Sequence, residues 1–265
     1  MSNITIATLM QMKEQGEKIA MLTSYDASFT RQLEEAGIEA ILVGDSLGMV
    51  IQGQESTLPV GVDDMVYHTR CVARGRQRAL LIADMPFMSY SSANQALGTA
   101  GRLMKEGGAH MVKLEGGATQ LETVHQLTAS GIPVCAHLGL LPQSVYKLGG
   151  YRVQGRDEEA ARVIKEDAMA LESAGAKLLV LECVPSSLAS AISELLEIPV
   201  IGIGAGSGCD GQVLVLYDML GVSRGRRPRF VKDFLEGAGS VSGAISAYVQ
   251  AVKNGSFPGP EHSFQ

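Results

Sequence analysis

The sequence predicts an α/β protein, a single (β/α)8 TIM-type barrel spanning residues 1–265. Short β-rich apolar runs alternate with longer amphipathic segments, and about eight such runs can be read along the chain. With 265 residues, 46% hydrophobic content and 31 glycines, the chain can bury one large core. Continuous apolar strands separated by helices imply a parallel sheet covered by helices, and eight such units close into a barrel. A doubly wound open sheet shares the rhythm; the strand count favours the barrel.

The runs fall at 19–23, 40–43, 79–83, 110–114, 132–137, 177–181, 198–203 and, more weakly, 213–216. Between them, helices read at 27–36, 93–106 and 157–174. Each stops at a glycine (Gly37, Gly107-Gly108 and Gly175), the residue favoured where a helix ends in left-handed backbone. The phrases Glu-Ala-Gly-Ile (35–38), Glu-Gly-Gly-Ala (106–109) and Ser-Ala-Gly-Ala (173–176) therefore mark helix-to-strand turns on the non-catalytic rim. The start of the chain reads as a short arm, and 231–253 reads as a last helix free to pack on a neighbour. The tail 257–265, bearing proline and glycine, is expected to be flexible.

A net charge of -6 leaves no electrostatic footprint for nucleic acid, and the basic run 224–229 is too short to make one. Residues 1–13 lack a basic-then-apolar leader with a cleavage site, and no apolar stretch approaches the roughly 20 residues that span a bilayer. No membrane partner and a cytoplasmic location are expected. Cys71, Cys135, Cys183 and Cys209 are dispersed, without zinc, redox or disulfide spacing, and Cys135 and Cys183 are expected beside barrel strands.

Four apolar runs end in acids: Asp45, Asp84, Glu115 and Glu182. In a parallel barrel these converge on one rim, where carboxylates can share a divalent cation and one can act as a base. A lone acid would most simply be a helix N-cap. Asp45, Asp84 and Glu115 together favour a hard cation, and the absence of His and Cys clustering argues against zinc. Lys113 shares a strand face with Glu115, so it either pairs with that acid or meets a substrate carboxylate. His137 is equally compatible with a satisfied core histidine and with a donor to ligand. Tyr25 is placed to donate a hydrogen bond into the same mouth.

Gly44-Asp45-Ser46-Leu47-Gly48 matches the spacing of a serine nucleophile elbow, but no Asp is followed three positions later by His, and a structural turn is the better reading. Gly202 to Gly208 has G-x-G-x-G spacing rather than a dinucleotide fingerprint. It is expected to be a plain turn, with a phosphate-binding turn or close ligand approach as alternatives. That turn and the loop 52–60 are candidates for covering or lining the mouth.

With these motifs in order, the chain resembles the ketopantoate hydroxymethyltransferase family. The resemblance runs through Thr23-Ser24-Tyr25-Asp26, 42–49, Gln52-Gly53, Ser56-Thr57-Leu58-Pro59 and 83–88. It continues through 112–117, His137-Leu138-Gly139-Leu140, Pro142-Gln143-Ser144, Gly149-Gly150-Tyr151, 153–156, 181–185, 201–206 and the tail 258–264. It implies a phosphoenolpyruvate/pyruvate-like barrel, a homodecamer, Mg2+ as cofactor and 5,10-methylenetetrahydrofolate as co-substrate. The implied reaction converts 3-methyl-2-oxobutanoate to 2-dehydropantoate through a Mg2+-stabilised enolate, in pantothenate biosynthesis. By the same resemblance Asp45 and Asp84 bind the metal, with Glu115 completing its environment directly or through water. The 2-oxo acid would contact Asp45, Ser46, Asp84 and Lys113, with His137 nearby, and Glu182 would be the general base. Two other readings stay open: a Mg2+-dependent lyase or mutase acting on 2-oxo acids, and a catalytically silent barrel.

Overall fold

Eight parallel strands close on themselves in chain order: β1 (Ile19–Thr23), β2 (Ala40–Val43), β3 (Leu80–Asp84), β4 (Met111–Glu115), β5 (Val134–Gly139), β6 (Leu178–Glu182), β7 (Val200–Ile203) and β8 (Gly211–Leu214), with β8 pairing back onto β1. The computed structural model describes residues 2–223, 225 and 227–265; Arg224 and Arg226 of the basic run lie outside them. Among the described residues no helix is long and apolar enough to cross a membrane.

Period-two alternation divides each strand between two cores. Ile19, Met21, Leu42, Ile82, Met111, Cys135, Val180, Ile201 and Val213 fill the barrel interior. Ala20, Leu22, Ile41, Val43, Leu81, Val112, Leu114, Ala136 and Leu179 face outward, packing in the layer shared with the helices. Both layers are apolar, so the strands read as continuous hydrophobic runs.

The acids themselves extend the strands. Asp84, Glu115 and Glu182 are the last residues of β3, β4 and β6, where the hydropathy pattern stopped one residue earlier. A carboxylate does not interrupt a ladder, because its backbone pairs like any other. The eighth strand lies two residues earlier than expected, at Gly211–Leu214, and Leu216 begins a short helix.

The helices Ala27–Glu35, Ala93–Lys105 and Glu158–Ser173 match three predicted segments, and Asp26, Ser92 and Asp157 cap their N-termini. Gly37 and Gly175 adopt positive φ (86° and 110°), the turn backbone their position demands. The last predicted helix is shorter than expected. It begins at Val241, because Gly237 and Gly239 take positive φ and Ser240 caps the helix instead. The N-terminal arm is itself a helix, Ile6–Glu14, and Ile4, Leu9 and Met12 plug the interior from the rim opposite the strand C-termini. The tail is packed rather than loose: Phe264 bridges to Pro185, and its carbonyl accepts the Ser186 N–H.

Candidate active site

At the C-terminal rim a cavity of about 740 Å³ opens. Asp45, Ser46, Asp84, Lys113, Glu115, His137 and Glu182 all line it. Strand register explains the gathering. Asp84 is level with Lys113 across β3 and β4, and Glu115 is level with His137 across β4 and β5. Glu182 is level with Gly139 across β5 and β6. Paired residues in a parallel ladder project to the same side, here the interior.

Lys113 donates to Oδ1 of Asp84 at 2.6 Å, and both side chains are buried. Its partner is thus Asp84, not Glu115. The other oxygen of Asp84, Oδ2, accepts the backbone N–H of Asp45 at 3.1 Å. This bond fixes the turn after β2 against the end of β3. Ser46 pairs with the Tyr25 hydroxyl at 2.8 Å rather than with an imidazole, and its turn leads into the short helix Leu47–Val50. The geometry gives a nucleophilic serine no base.

His137 sits between two carboxylates. Its Nδ1 is 3.5 Å from Oε1 of Glu115 and its Nε2 is 3.3 Å from Oε2 of Glu182, both ion-pair separations. Burial and Lys113 oppose its protonation, but the two carboxylates favour it more, and its pKa is raised. Glu182 is the more open of the two acids, with its side chain 14% exposed on the cavity wall. The backbone beyond it is tightly held. Cys183 takes a φ of 48°, and the Glu182 carbonyl accepts the Leu140 N–H at 2.8 Å. Gly139 has a φ of 92°, and a Cβ there would lie 2.2 Å from that carbonyl oxygen.

The charge balance of the inner wall is uneven. Burial, then Asp84, then Glu115 push the Asp45 carboxyl well above the usual range, against the opposing pull of Lys113 and Gln143. Burial pulls Lys113 down, but Asp84, Glu115 and Asp45 outweigh it and the ammonium stays charged. Among the described residues of this inner wall, three buried acids therefore face one ammonium, a deficit that a divalent cation would relieve. All the donors are hard oxygens, which suits Mg2+. Among the described residues no three His, Cys, Asp or Glu side chains are gathered closely enough to hold a metal unaided. An ion that takes one or two carboxylates and completes its shell with water and ligand oxygens would suit such donors.

Two residues given no role by sequence reasoning join this wall, Gln143 and Tyr90. Gln143 donates to both Asp45 and Glu115, and the Tyr90 hydroxyl donates to the Gln143 amide oxygen. Of the candidate mouth segments, the loop 52–60 contributes Thr57 and the turn 202–208 contributes Ile203. The turn's glycines answer to packing within the chain. A Cβ on Gly204 would meet Phe230 and Phe264, one on Gly206 would meet Ser186, and one on Gly208 would meet Ser190.

The family profile described as ketopantoate hydroxymethyltransferase matches residues 3–260. The 3-methyl-2-oxobutanoate hydroxymethyltransferase of Nitrosococcus oceani is 63% identical over 264 residues, 100% of each chain. That of Halorhodospira halophila is 59% identical over 262 residues, 99% of this chain and 95% of the relative. Among solved structures, phosphoenolpyruvate phosphomutase from Streptomyces platensis subsp. rosaceus aligns with a TM-score of 0.62 at 12% identity, covering 82% of each chain. A 2,3-dimethylmalate lyase of the PEP mutase/isocitrate lyase superfamily aligns at 0.58 with 16% identity, covering 83% of each chain. At such identities the likeness shows the barrel type alone.

Proposed function

Since the chain belongs to the ketopantoate hydroxymethyltransferase family, we propose that it transfers a hydroxymethyl group from 5,10-methylenetetrahydrofolate to 3-methyl-2-oxobutanoate. The product is 2-dehydropantoate, the precursor of pantothenate and coenzyme A. The observation that carries this reading is the division of the cavity. Asp45, Asp84, Glu115 and Lys113 form one charged inner wall, and Glu182 stands apart on β6, linked to that wall through His137.

In this reading Asp45 and Asp84 hold Mg2+, and Glu115 completes its environment directly or through water. When bound, the ion supplies Lewis-acid polarisation of the 2-oxo group. Ser46 and Lys113 orient the substrate carboxylate, Lys113 as a cation rather than as an amine nucleophile. Glu182 removes the proton from C3, and His137 holds that carboxylate in place from behind. The resulting carbon nucleophile forms a bond to the one-carbon unit, both folate C–N bonds break, water supplies the hydroxyl oxygen, and the proton from C3 and one from water go to the two folate nitrogens. No covalent bond to the protein is needed, because Lys113 is held as an ammonium against Asp84. A homodecamer in the cytoplasm is part of the same proposal.

The test is product formation. Incubating the protein with 3-methyl-2-oxobutanoate, methylenetetrahydrofolate and Mg2+ is expected to yield 2-dehydropantoate and tetrahydrofolate, and a chelator is expected to stop the reaction. Turnover of the 2-oxo acid without the folate would instead indicate a lyase.

A further inference from the structure

Gln143 lies on the single helical turn Pro142–Ser144 that follows β5, and it is only 6% exposed. Its backbone N–H and its side-chain amide are all engaged. The backbone N–H donates to Oε2 of Glu115 at 3.0 Å, and Nε2 donates to Oδ2 of Asp45 at 2.8 Å and to the Met85 carbonyl at 3.0 Å. Oε1 accepts the Tyr90 hydroxyl, which itself accepts the Glu115 N–H at 3.4 Å. The amide orientation follows from chemistry: the Met85 carbonyl can only accept, so the nitrogen must face it and the oxygen must face Tyr90. The donors therefore run in one sense, from Glu115 N–H through Tyr90 to Gln143 and on to Asp45.

Asp45 needs such a restraint. It lies beyond the end of β2, so no ladder fixes its side chain, whereas Asp84 and Glu115 are strand residues. One glutamine reaches residues at the ends of β2, β3 and β4 from a turn that follows β5. Among the described residues no hydrogen bond engages Oδ1 of Asp45, the oxygen that Gln143 leaves open.

We propose, resting on the metal-dependent reading above, that Gln143 is a positioning residue: through the Tyr90–Gln143 relay it sets which oxygens of Asp45 and Glu115 face the cavity, and so presets the carboxylates for a hard divalent cation. A carboxylate held in its binding orientation loses less freedom when the ion arrives, which is how partners behind metal ligands raise affinity. The role is separate from holding the barrel together, because all the side chains involved sit at the rim.

The experiment is calorimetric titration of Mg2+ into the metal-free full chain, without substrate, for the unmodified protein, Gln143→Leu, Tyr90→Phe and the double variant. Melting of each metal-free protein serves as the folding control, and KM and kcat for the 2-oxo acid are measured at fixed Mg2+. Gln143→Leu is expected to weaken Mg2+ binding by about 10–100-fold, the usual effect of losing a partner behind a metal ligand. Its KM is expected to rise as well. Tyr90→Phe keeps its ring and leaves the Gln143 Nε2 bonds to Asp45 and Met85 in place, so it is expected to weaken Mg2+ binding less than Gln143→Leu does. Added to Gln143→Leu, the Tyr90→Phe change is expected to have little further effect, because the acceptor of its hydroxyl proton is already gone and only the long 3.4 Å contact from the Glu115 N–H remains. Unchanged Mg2+ affinity in both single variants, with the unmodified protein binding normally, overturns the inference and leaves the proposed function standing. Failure of the unmodified protein to bind Mg2+ overturns both.

Discussion

Among the described residues Lys113 is the one ammonium facing Asp84, Glu115 and Asp45, and it is bonded to the first of them. Lys113→Met would leave buried carboxylates without their cation. Removing one partner of such a pair costs about 3–5 kcal/mol. The expected result is a large fall in melting temperature, partly recovered by Mg2+; melting curves with and without the ion check it. The acids and Lys113 were legible in the sequence because each closes an apolar run, so their convergence follows once the barrel is granted. Gln143 and Tyr90 were not. Their segments carry no hydrophobic period, and Gln143 meets partners 28 and 98 positions away, a proximity that only closure of the sheet creates. The partner of Lys113 was open for the same reason: a neighbour on its own strand and a neighbour one strand over are both in reach, and register decides for Asp84.

Among the elements, the end of β5 and the end of β6 depend on each other. Gly139 passes so close to the Glu182 carbonyl that only glycine fits, and its φ of 92° adds a second reason. Gly139→Ala is expected to cost about 1–3 kcal/mol in backbone strain, besides the clash. It is also expected to move Glu182, and a displacement of about 1 Å at a catalytic group can cost about 100-fold in rate. Steady-state kinetics should show kcat falling more than KM. The strands were recognisable from apolar runs, and their ends were misjudged where polar residues continue the ladder. The helix predicted at 231–253 was overlong, because Gly237 and Gly239 weigh little in a hydrophobic pattern yet decide the backbone. The arm helix Ile6–Glu14 escaped notice because it is short and few of its residues are buried, Leu9 and Met12 alone.

Across the molecule, the two rims have different tasks. One rim is closed by the apolar plug of Ile4, Leu9 and Met12, with the ion pairs Lys13–Asp210 and Lys253–Glu39 around it, and the opposite rim gathers the buried acids of the cavity. That concentration has a cost that pH can expose. Asp45, buried and facing Asp84 and Glu115, has a folded pKa raised above its unfolded value of about 3.9, although Lys113 and Gln143 pull the other way. Between those two values the folded state holds more protons than the unfolded one, so its contribution to stability declines as pH rises through the window. Melting of chelator-treated protein across pH is expected to show this decline, and Asp45→Asn is expected to flatten it. Saturating Mg2+ acts in the other direction: an ion at 100 times its Kd stabilises the folded state by about 2.7 kcal/mol.

If Glu182 takes a proton from C3 of a 2-oxo acid held on the opposite wall, exchange of that proton depends on this one carboxylate. NMR-detected exchange of that proton of 3-methyl-2-oxobutanoate in heavy water tests it without the folate. The expected result is Mg2+-dependent exchange in the unmodified protein, and its loss in Glu182→Gln with Mg2+-dependent substrate binding intact. Exchange that persists in Glu182→Gln would assign the base elsewhere, and no exchange in the unmodified protein would contradict the account outright.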